Sequence, residues 1–412
     1  MFIERDGMFI ERDGMKIGWQ PRIAGWVSRV ILACIAALAF IACSENGEQG
    51  SPTSGVEPVN QVSEPEPTGA AGTTPLAPTP ASIPLTTALK ASTPVSTAEP
   101  TSQPPDFSRF AGIDGILDPT NFGWPRTVET SEGFVTLDAP PAKVHSLSLG
   151  HAEILAALMD FERLAAVYSF FADEEQSNIA ILSAGHSMIG FDPEEVVALE
   201  PDLIIASRFT NADTVAFMKD AGIPVVRTNL ENSALGNVPN ILLIGYMIGA
   251  EVESLQLVSQ IESRMQFISD LLPEGAKPRV LSASKFTSAF AAGSGTTEGG
   301  IIEQAGGINA AGDSGIEGHQ QVSIESVAAI NPDVIIVPQP VDGAEDYIEE
   351  LITSAALAEV PAVKNGRVYY VLPKHHTTLS HWNVIGIEQL ASLLYPSVFS
   401  EVTFETFQHF VR

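Results

Sequence analysis

Positive charge and cysteine are what this chain has least of. Its 412 residues hold 21 Lys and Arg against 50 Asp and Glu, a formal net charge of −29 at pH 7. Nucleic-acid binding rests on clustered cations that neutralise phosphates, so a nucleic-acid partner is excluded on charge. The cysteines number 2, Cys34 and Cys43, too few for a disulfide scaffold or a multi-cysteine zinc site. The apolar run Val30–Ala42 falls short of the about 20 residues that a spanning helix needs. There is no Gly-x-Ser-x-Gly elbow, no His-Glu-x-x-His helix and no Walker loop. Gly293-Ser294-Gly295 with Gly299-Gly300 approaches a dinucleotide loop but is one residue off its spacing, and reads as a tight strand-to-helix turn.

What is present begins with a tandem repeat, Met1–Gly7 and Met8–Gly14, followed by Met15, the preferred start. Lys16, Arg22 and Arg29 then precede the apolar run, which ends in Ala42 before Cys43. That order of charge, apolar core and small residue is an export signal. Phe40-Ile41-Ala42-Cys43 resembles a bacterial lipobox, although Phe40 stands where an aliphatic residue is usual. The resemblance implies that residues 1–43 are a lipoprotein signal peptide ending at a lipidated Cys43, on the extracytoplasmic face of a membrane. Residues 44–105 are rich in Pro, Ser, Thr and Glu without an aromatic residue. Such a stretch buries too little apolar surface to offset its ordering entropy and is expected to be a disordered spacer.

Beyond it, short apolar runs alternate with amphipathic ones. Val144–Leu149, Leu203–Ala206, Pro224–Arg227, Val280–Ala283, Val334–Val337 and Val368–Val371 read as buried parallel strands. Ala152–Asp160, Asp213–Ala221, Pro239–Ala250, Glu251–Leu272, Ser323–Ile330 and Ile385–Leu394 read as helices. The alternation predicts an α/β fold with parallel sheets and right-handed crossovers. One repeat is gapless: Glu194-Glu195-Val196-Val197-Ala198-Leu199-Glu200-Pro201-Asp202-Leu203 matches Glu325-Ser326-Val327-Ala328-Ala329-Ile330-Asn331-Pro332-Asp333-Val334. Each copy is a helix opened by an acid and stopped by Pro-Asp before a strand, because Pro cannot continue a helix. The copies imply two similar lobes, 126–250 and 276–412, with 251–275 as a connecting helix.

Lys143-Val144-His145-Ser146-Leu147-Ser148, Glu153-Ile154-Leu155-Ala156-Ala157-Leu158, the two acid-to-Pro-Asp copies, Ala305-Gly306-Gly307-Ile308-Asn309 and Asn365-Gly366-Arg367-Val368-Tyr369-Tyr370-Val371 occur in order. Together they resemble the iron-complex and cobalamin substrate-binding proteins of ABC importers. The resemblance implies two Rossmann-like lobes joined by one long rigid helix, a ligand cleft between them, and delivery to an ABC permease by a monomer with no intrinsic cofactor. It implies further that Glu194 and Glu325 dock arginines of the permease. An acid in a helix's first turn is also favoured by the helix dipole alone.

In open α/β sheets ligands meet the loops that leave the carboxyl ends of strands. Histidines, one Met and a Trp are expected there: His151, His186, Met188, His319, His376 and Trp382. Imidazole and thioether can serve iron, so His319 and Met188 are candidate metal ligands if haem or iron is bound directly. Arg208, Lys285 and Lys374 stand out against the acidic background and could pair with an anionic iron chelate or with haem propionates. The expected function is capture of an iron complex, siderophore or haem. The alternatives are a corrinoid ligand or, in another class, a metal-dependent hydrolase. The latter would need carboxylates beside the histidines, and Lys374–Trp382 contains none.

Overall fold

A computed structural model describes residues 105–131 and 133–407; the signal segment, Cys43 and most of the spacer lie outside the described residues. Strand Val144–Ser146 pairs in parallel with Leu203–Ser207, which pairs in parallel with Val225–Thr228. A second sheet runs in the order His319–Gln321, Ala289–Ala292, Arg279–Lys285, Val334–Val337, Val368–Tyr370, with the short strand Ile308–Asn309 also beside Arg279–Lys285. Arg279–Lys285, Val334–Val337 and the edge strand Val368–Tyr370 are parallel as expected. Ala289–Ala292 and His319–Gln321 add an antiparallel margin to this parallel sheet. The chain leaves Lys285, reverses through a turn closed by Phe286 N donating to Ser288 O (3.2 Å), and so has no room for a crossover helix.

The repeated Pro-Asp corner has the same geometry twice. Helices Pro193–Ala198 and Ile324–Ile330 are capped by Asp192 and Ser323, whose side chains accept from Glu194 N and Ser326 N. After each helix the residue before the Pro has positive φ, Glu200 at 50° and Asn331 at 52°, and so leaves the right-handed helical region for the left-handed one. Asp202 Oδ2 then accepts from Ala142 N and Lys143 N at 2.8 and 2.9 Å, and Asp333 Oδ2 accepts from Arg279 N at 2.8 Å. The backbone completes the pair, Asp202 N to Lys143 O and Asp333 N to Arg279 O, both 2.8 Å. Lys143 Nζ and Arg279 Nη2 in turn reach the helix-end carbonyls of Leu199 (2.6 Å) and Ile330 (3.1 Å). One acid and one cation thus lock neighbouring parallel strands in register and close the C-terminus of the helix between them.

Helix Glu251–Leu271 lies in chain order between the two sheets and buries Leu257, Val258, Ile261 and Ile268. The preceding helix, Val238–Ile248, stops at Gly249, whose φ of 74° suits a left-handed cap. Residues 105–125, between the spacer and the first lobe, pack onto these two helices. Phe107, Phe110 and Phe122 form an aromatic cluster with Tyr246, and Arg109 grips Glu262 with two hydrogen bonds of 2.7 and 2.6 Å. Arg126 opens an antiparallel hairpin, Arg126–Thr130 with Gly133–Leu137. Its guanidinium is buried, pairs with Glu251, donates to the carbonyls of Phe122, Gly123 and Tyr246, and lies 4.2 Å from the Trp124 ring centroid. Among the described residues no helix is long and apolar enough to cross a membrane.

A buried charge whose partner is deleted is left uncompensated, at a cost of about 3 to 5 kcal/mol. Glu251→Leu should therefore destabilise the protein by that order in urea unfolding, and Arg126→Met with Glu251→Leu should recover part of the loss. A single variant within about 0.5 kcal/mol of wild type, the range of ordinary surface substitutions, would show that the pair anchors nothing.

Candidate functional site

Helix Leu149–Leu158 starts three residues earlier than its apolar spacing suggested, because Ser148 caps it by accepting from His151 N. The expected strand Val144–Leu149 is correspondingly cut to Val144–Ser146. That shift moves His151 from a strand-end loop into a helix, fully buried, with Ser148 Oγ and Thr228 Oγ1 each 2.6 Å from its ring nitrogens. His376 is likewise fully buried, in the short helix Pro373–His376, and its Nδ1 donates to Leu372 O at 3.1 Å. These two imidazoles belong to the interior and present no surface to a ligand. Burial pushes His151 down to about 3 and His376 to about 4, so both are neutral at pH 7.

The other expected residues are at least partly exposed. His186 packs edge-on against Phe161 and donates from Nε2 to Leu164 O at 2.8 Å. Met188 opens the strand Met188–Ile189 and is 46% exposed. Arg208 follows the central strand of the first sheet, exposed, with its guanidinium 4.7 Å from the centroid of Phe209, a ring 74% exposed. Lys285 ends its strand and is committed to an ion pair with Glu350. His319 lies in an edge strand, not in a loop, and is hydrogen-bonded at 3.0 Å to the buried Glu298, which raises its pKa. Lys374 is half-buried, and Trp382 is half-buried beside His381 and Phe407. Among the described residues no three His, Cys, Asp or Glu side chains gather as a metal site.

The structure adds groups that the sequence reading passed over. Glu153, fully buried in Leu149–Leu158, accepts through Oε1 from Asn178 N and Nδ2, both at 2.9 Å, and through Oε2 from Thr378 Oγ1 at 2.7 Å and from Ser380 Oγ. Burial pushes its carboxyl up, against those hydrogen bonds. Nearby, Lys374 N donates to Glu175 O at 3.0 Å, Asn178 Nδ2 donates to Lys374 O at 2.8 Å, and Val341 N donates to Glu175 Oε2 at 2.9 Å. The segment after the last strand is thereby seated on loops of the first half. The available signal was a Glu inside an otherwise apolar helix. A third feature is a stack of near-parallel rings: Phe191 lies 4.9 Å from Tyr168 and 5.7 Å from Phe170. Phe191 is exposed, two residues before Pro193. Glu194 and Glu325 both stand exposed in the first turns of their equivalent helices.

Residues 144–374 match the sequence model of a family described as periplasmic binding protein. Among known proteins, the chain is 28% identical over 286 residues to an uncharacterized ABC transporter substrate-binding lipoprotein of Bacillus subtilis, covering 68% of this chain and 88% of that protein. It is 27% identical over 251 residues to a cobalamin-binding protein of Halobacterium salinarum, covering 60% and 68% of the two chains. In fold it is similar to the apo form of a periplasmic heme-binding protein from Roseiflexus, with a TM-score of 0.53 and 24% identity over 62% of this chain and 98% of that one.

Histidines held neutral by burial bind protons more readily once unfolded. His145, His375 and His376 are each pushed down to about 4, and His151 to about 3, all chiefly by desolvation. From the ordinary value of 6.5 down to about 4, the unfolded chain therefore takes up more protons than the native one, and stability falls as pH falls. Glu153 and Glu388, raised by burial, act with the opposite sign. The discriminating measurement is the slope of the urea midpoint from pH 7 to 5, which His151→Gln and His376→Gln should each flatten. An unchanged slope in both would remove these imidazoles as the source.

Proposed function

The chain belongs to the periplasmic binding protein family, and from that premise we propose that it is a lipid-anchored, extracytoplasmic receptor that captures an anionic iron complex, siderophore or haem, and delivers it to an ABC permease. Members of this family bind and hand over substrates, which removes the metal-dependent hydrolase from consideration. The observation that carries the ligand class is Arg208 with Phe209. An exposed guanidinium and an exposed ring sit together at the carboxyl end of the first sheet's central strand, in a chain of net charge −29. A cation there selects for carboxylate, catecholate or propionate, and the ring offers a face to a planar group.

His186, Met188, His319, Lys374 and Trp382 complete the proposed contact set, with Lys285 available only if the ligand displaces Glu350. His319 and Met188 are proposed as iron ligands only where haem or iron is bound directly. A corrinoid is the second reading, favoured by the relative from Halobacterium salinarum. Glu194 and Glu325 are the proposed permease contacts, one per half, and Cys43 is the proposed lipid attachment, giving a tethered monomer.

Titration of the full chain with haem, a ferric siderophore and cyanocobalamin, read by tryptophan fluorescence, tests the ligand. The expected result is saturable binding of an iron complex that Arg208→Ala weakens by about 1.5 to 3 kcal/mol, the size of a lost hydrogen bond to a charged group. Saturation by cyanocobalamin alone would transfer the assignment to corrinoids. Docking is tested separately: Glu194→Lys with Glu325→Lys should abolish permease-dependent uptake while leaving ligand affinity within about twofold, because rim charges govern partner recognition. Normal uptake by that double variant would refute the docking role.

A further inference from the structure

Resting on the reading that Lys374 and Trp382 meet the ligand, we infer that Glu153 is a positioning residue for the binding cleft: its buried side chain holds the segment Lys374–Trp382 in place without touching ligand. The geometry has a direction. Trp382 N donates to Ser380 Oγ at 3.3 Å and Ser380 N donates to Thr378 Oγ1 at 3.2 Å. Each hydroxyl then passes its own hydrogen to Glu153 Oε2. Two backbone amides of the ligand segment are therefore tied, each through one hydroxyl, to one carboxylate oxygen of the opposite half.

The other oxygen is equally occupied. Asn178 spends its backbone N–H and its side-chain amide on Glu153 Oε1, and the same side-chain amide also reaches Lys374 O. Lys374 N is taken by Glu175 O. Both ends of the segment thus depend on the environment of Glu153, Trp382 through the hydroxyls and Lys374 through Asn178. A carboxylate has about four lone-pair sites, and here four donors fill them. No cation is needed to hold the group, and none of its donors comes from a residue proposed to touch ligand. An apolar group at this position would take the shared acceptor from all four donors at once, the buried hydroxyls of Thr378 and Ser380 among them, so the consequence of losing Glu153 falls on the loop that the donors organise.

The test uses Glu153→Leu and Ser380→Ala in the full chain, with two readouts. In hydrogen exchange, Glu153→Leu should speed the amides of Ser380 and Trp382 by at least tenfold while those of the strand Val334–Val337 keep wild-type protection. In titrations with haem, ferric citrate and cyanocobalamin, the affinity for whichever of them the wild type binds should fall at least tenfold. Adding Ser380→Ala to Glu153→Leu should cost less than threefold more, although Ser380→Ala alone weakens binding, because the two act through one contact. Unchanged exchange in a folded Glu153→Leu protein would overturn the inference, as would affinity within twofold of wild type. If Glu153→Leu does not fold, Ser380→Ala alone decides by the same two measurements. A wild type that binds none of the three probes defeats the functional reading, and the exchange result still decides whether Glu153 holds the segment.

Discussion

Two aspartates at the starts of strands govern how both sheets are assembled. Asp202 and Asp333 each hold a backbone amide of the neighbouring parallel strand, and a one-residue slip in register would carry that amide away and turn each buried side chain to the wrong face. Parallel strands have no hairpin to fix their register, so a side-chain clamp of this kind substitutes for turn geometry. The same corner fixes where the preceding helix ends, since Lys143 and Arg279 bind its last carbonyls. A short helix with a defined end also has a defined beginning, and it is there that Glu194 and Glu325 project. The exposed acids inherit matched positions from hydrogen bonds of the Pro-Asp corner about two turns away.

The features legible in the sequence are those with local causes. The acid-to-Pro-Asp repeat specified a helix, a stop and a strand, and the structure shows all three in both copies. Val334–Val337 runs as read, and the long helix ends one residue early, at Leu271. What escaped depends on contacts distant in sequence or on a cap. Ser148 converts the end of an apparent strand into a helix start, and with it His151 turns inward. The antiparallel strands Ala289–Ala292 and His319–Gln321 are short and weakly patterned, and their pairing is decided across the sheet. Glu153 was visible only as an acid within an apolar helix, since its donors come from 25 and 225 residues away.

The histidine-rich stretch shows why residue type alone misleads about sites. His375, His376 and His381 lie together in sequence, yet His376 and His381 are wholly buried and His375 is largely so. An imidazole packs much like an aromatic ring, and His381 meets Trp382 and Phe407 in that manner. Of the candidate contact residues, those that stand exposed are few: Arg208 beside Phe209, Met188 and His319. In a strongly acidic protein an unburied cation is the more informative residue, because solubility is already supplied by acids and a guanidinium matches planar anionic groups that an ammonium does not.

The contacts between the halves also bear on how such a fold could work. They include directional hydrogen bonds: Val341 N to Glu175 Oε2 at 2.9 Å, Asn178 Nδ2 to Lys374 O at 2.8 Å, Asn237 Nδ2 to Leu379 O at 2.8 Å, Asn232 Nδ2 to Gly295 O at 2.8 Å. A buried apolar contact tolerates sliding, whereas directional hydrogen bonds admit few arrangements, because each displaced donor loses an acceptor that stands in one place. The backbones also approach closely here, since a Cβ on Gly300 would stand 2.5 Å from Asn232 O. Glycine at that point and the polar pairing around it act together, the one permitting close approach and the other fixing its direction. The net strength of such a seam is modest, for each hydrogen bond replaces one made to water and contributes only about 0.5 to 1.5 kcal/mol. Its specificity is greater than its strength, which suits a receptor that must hold a fixed cleft geometry and still yield its ligand to a partner.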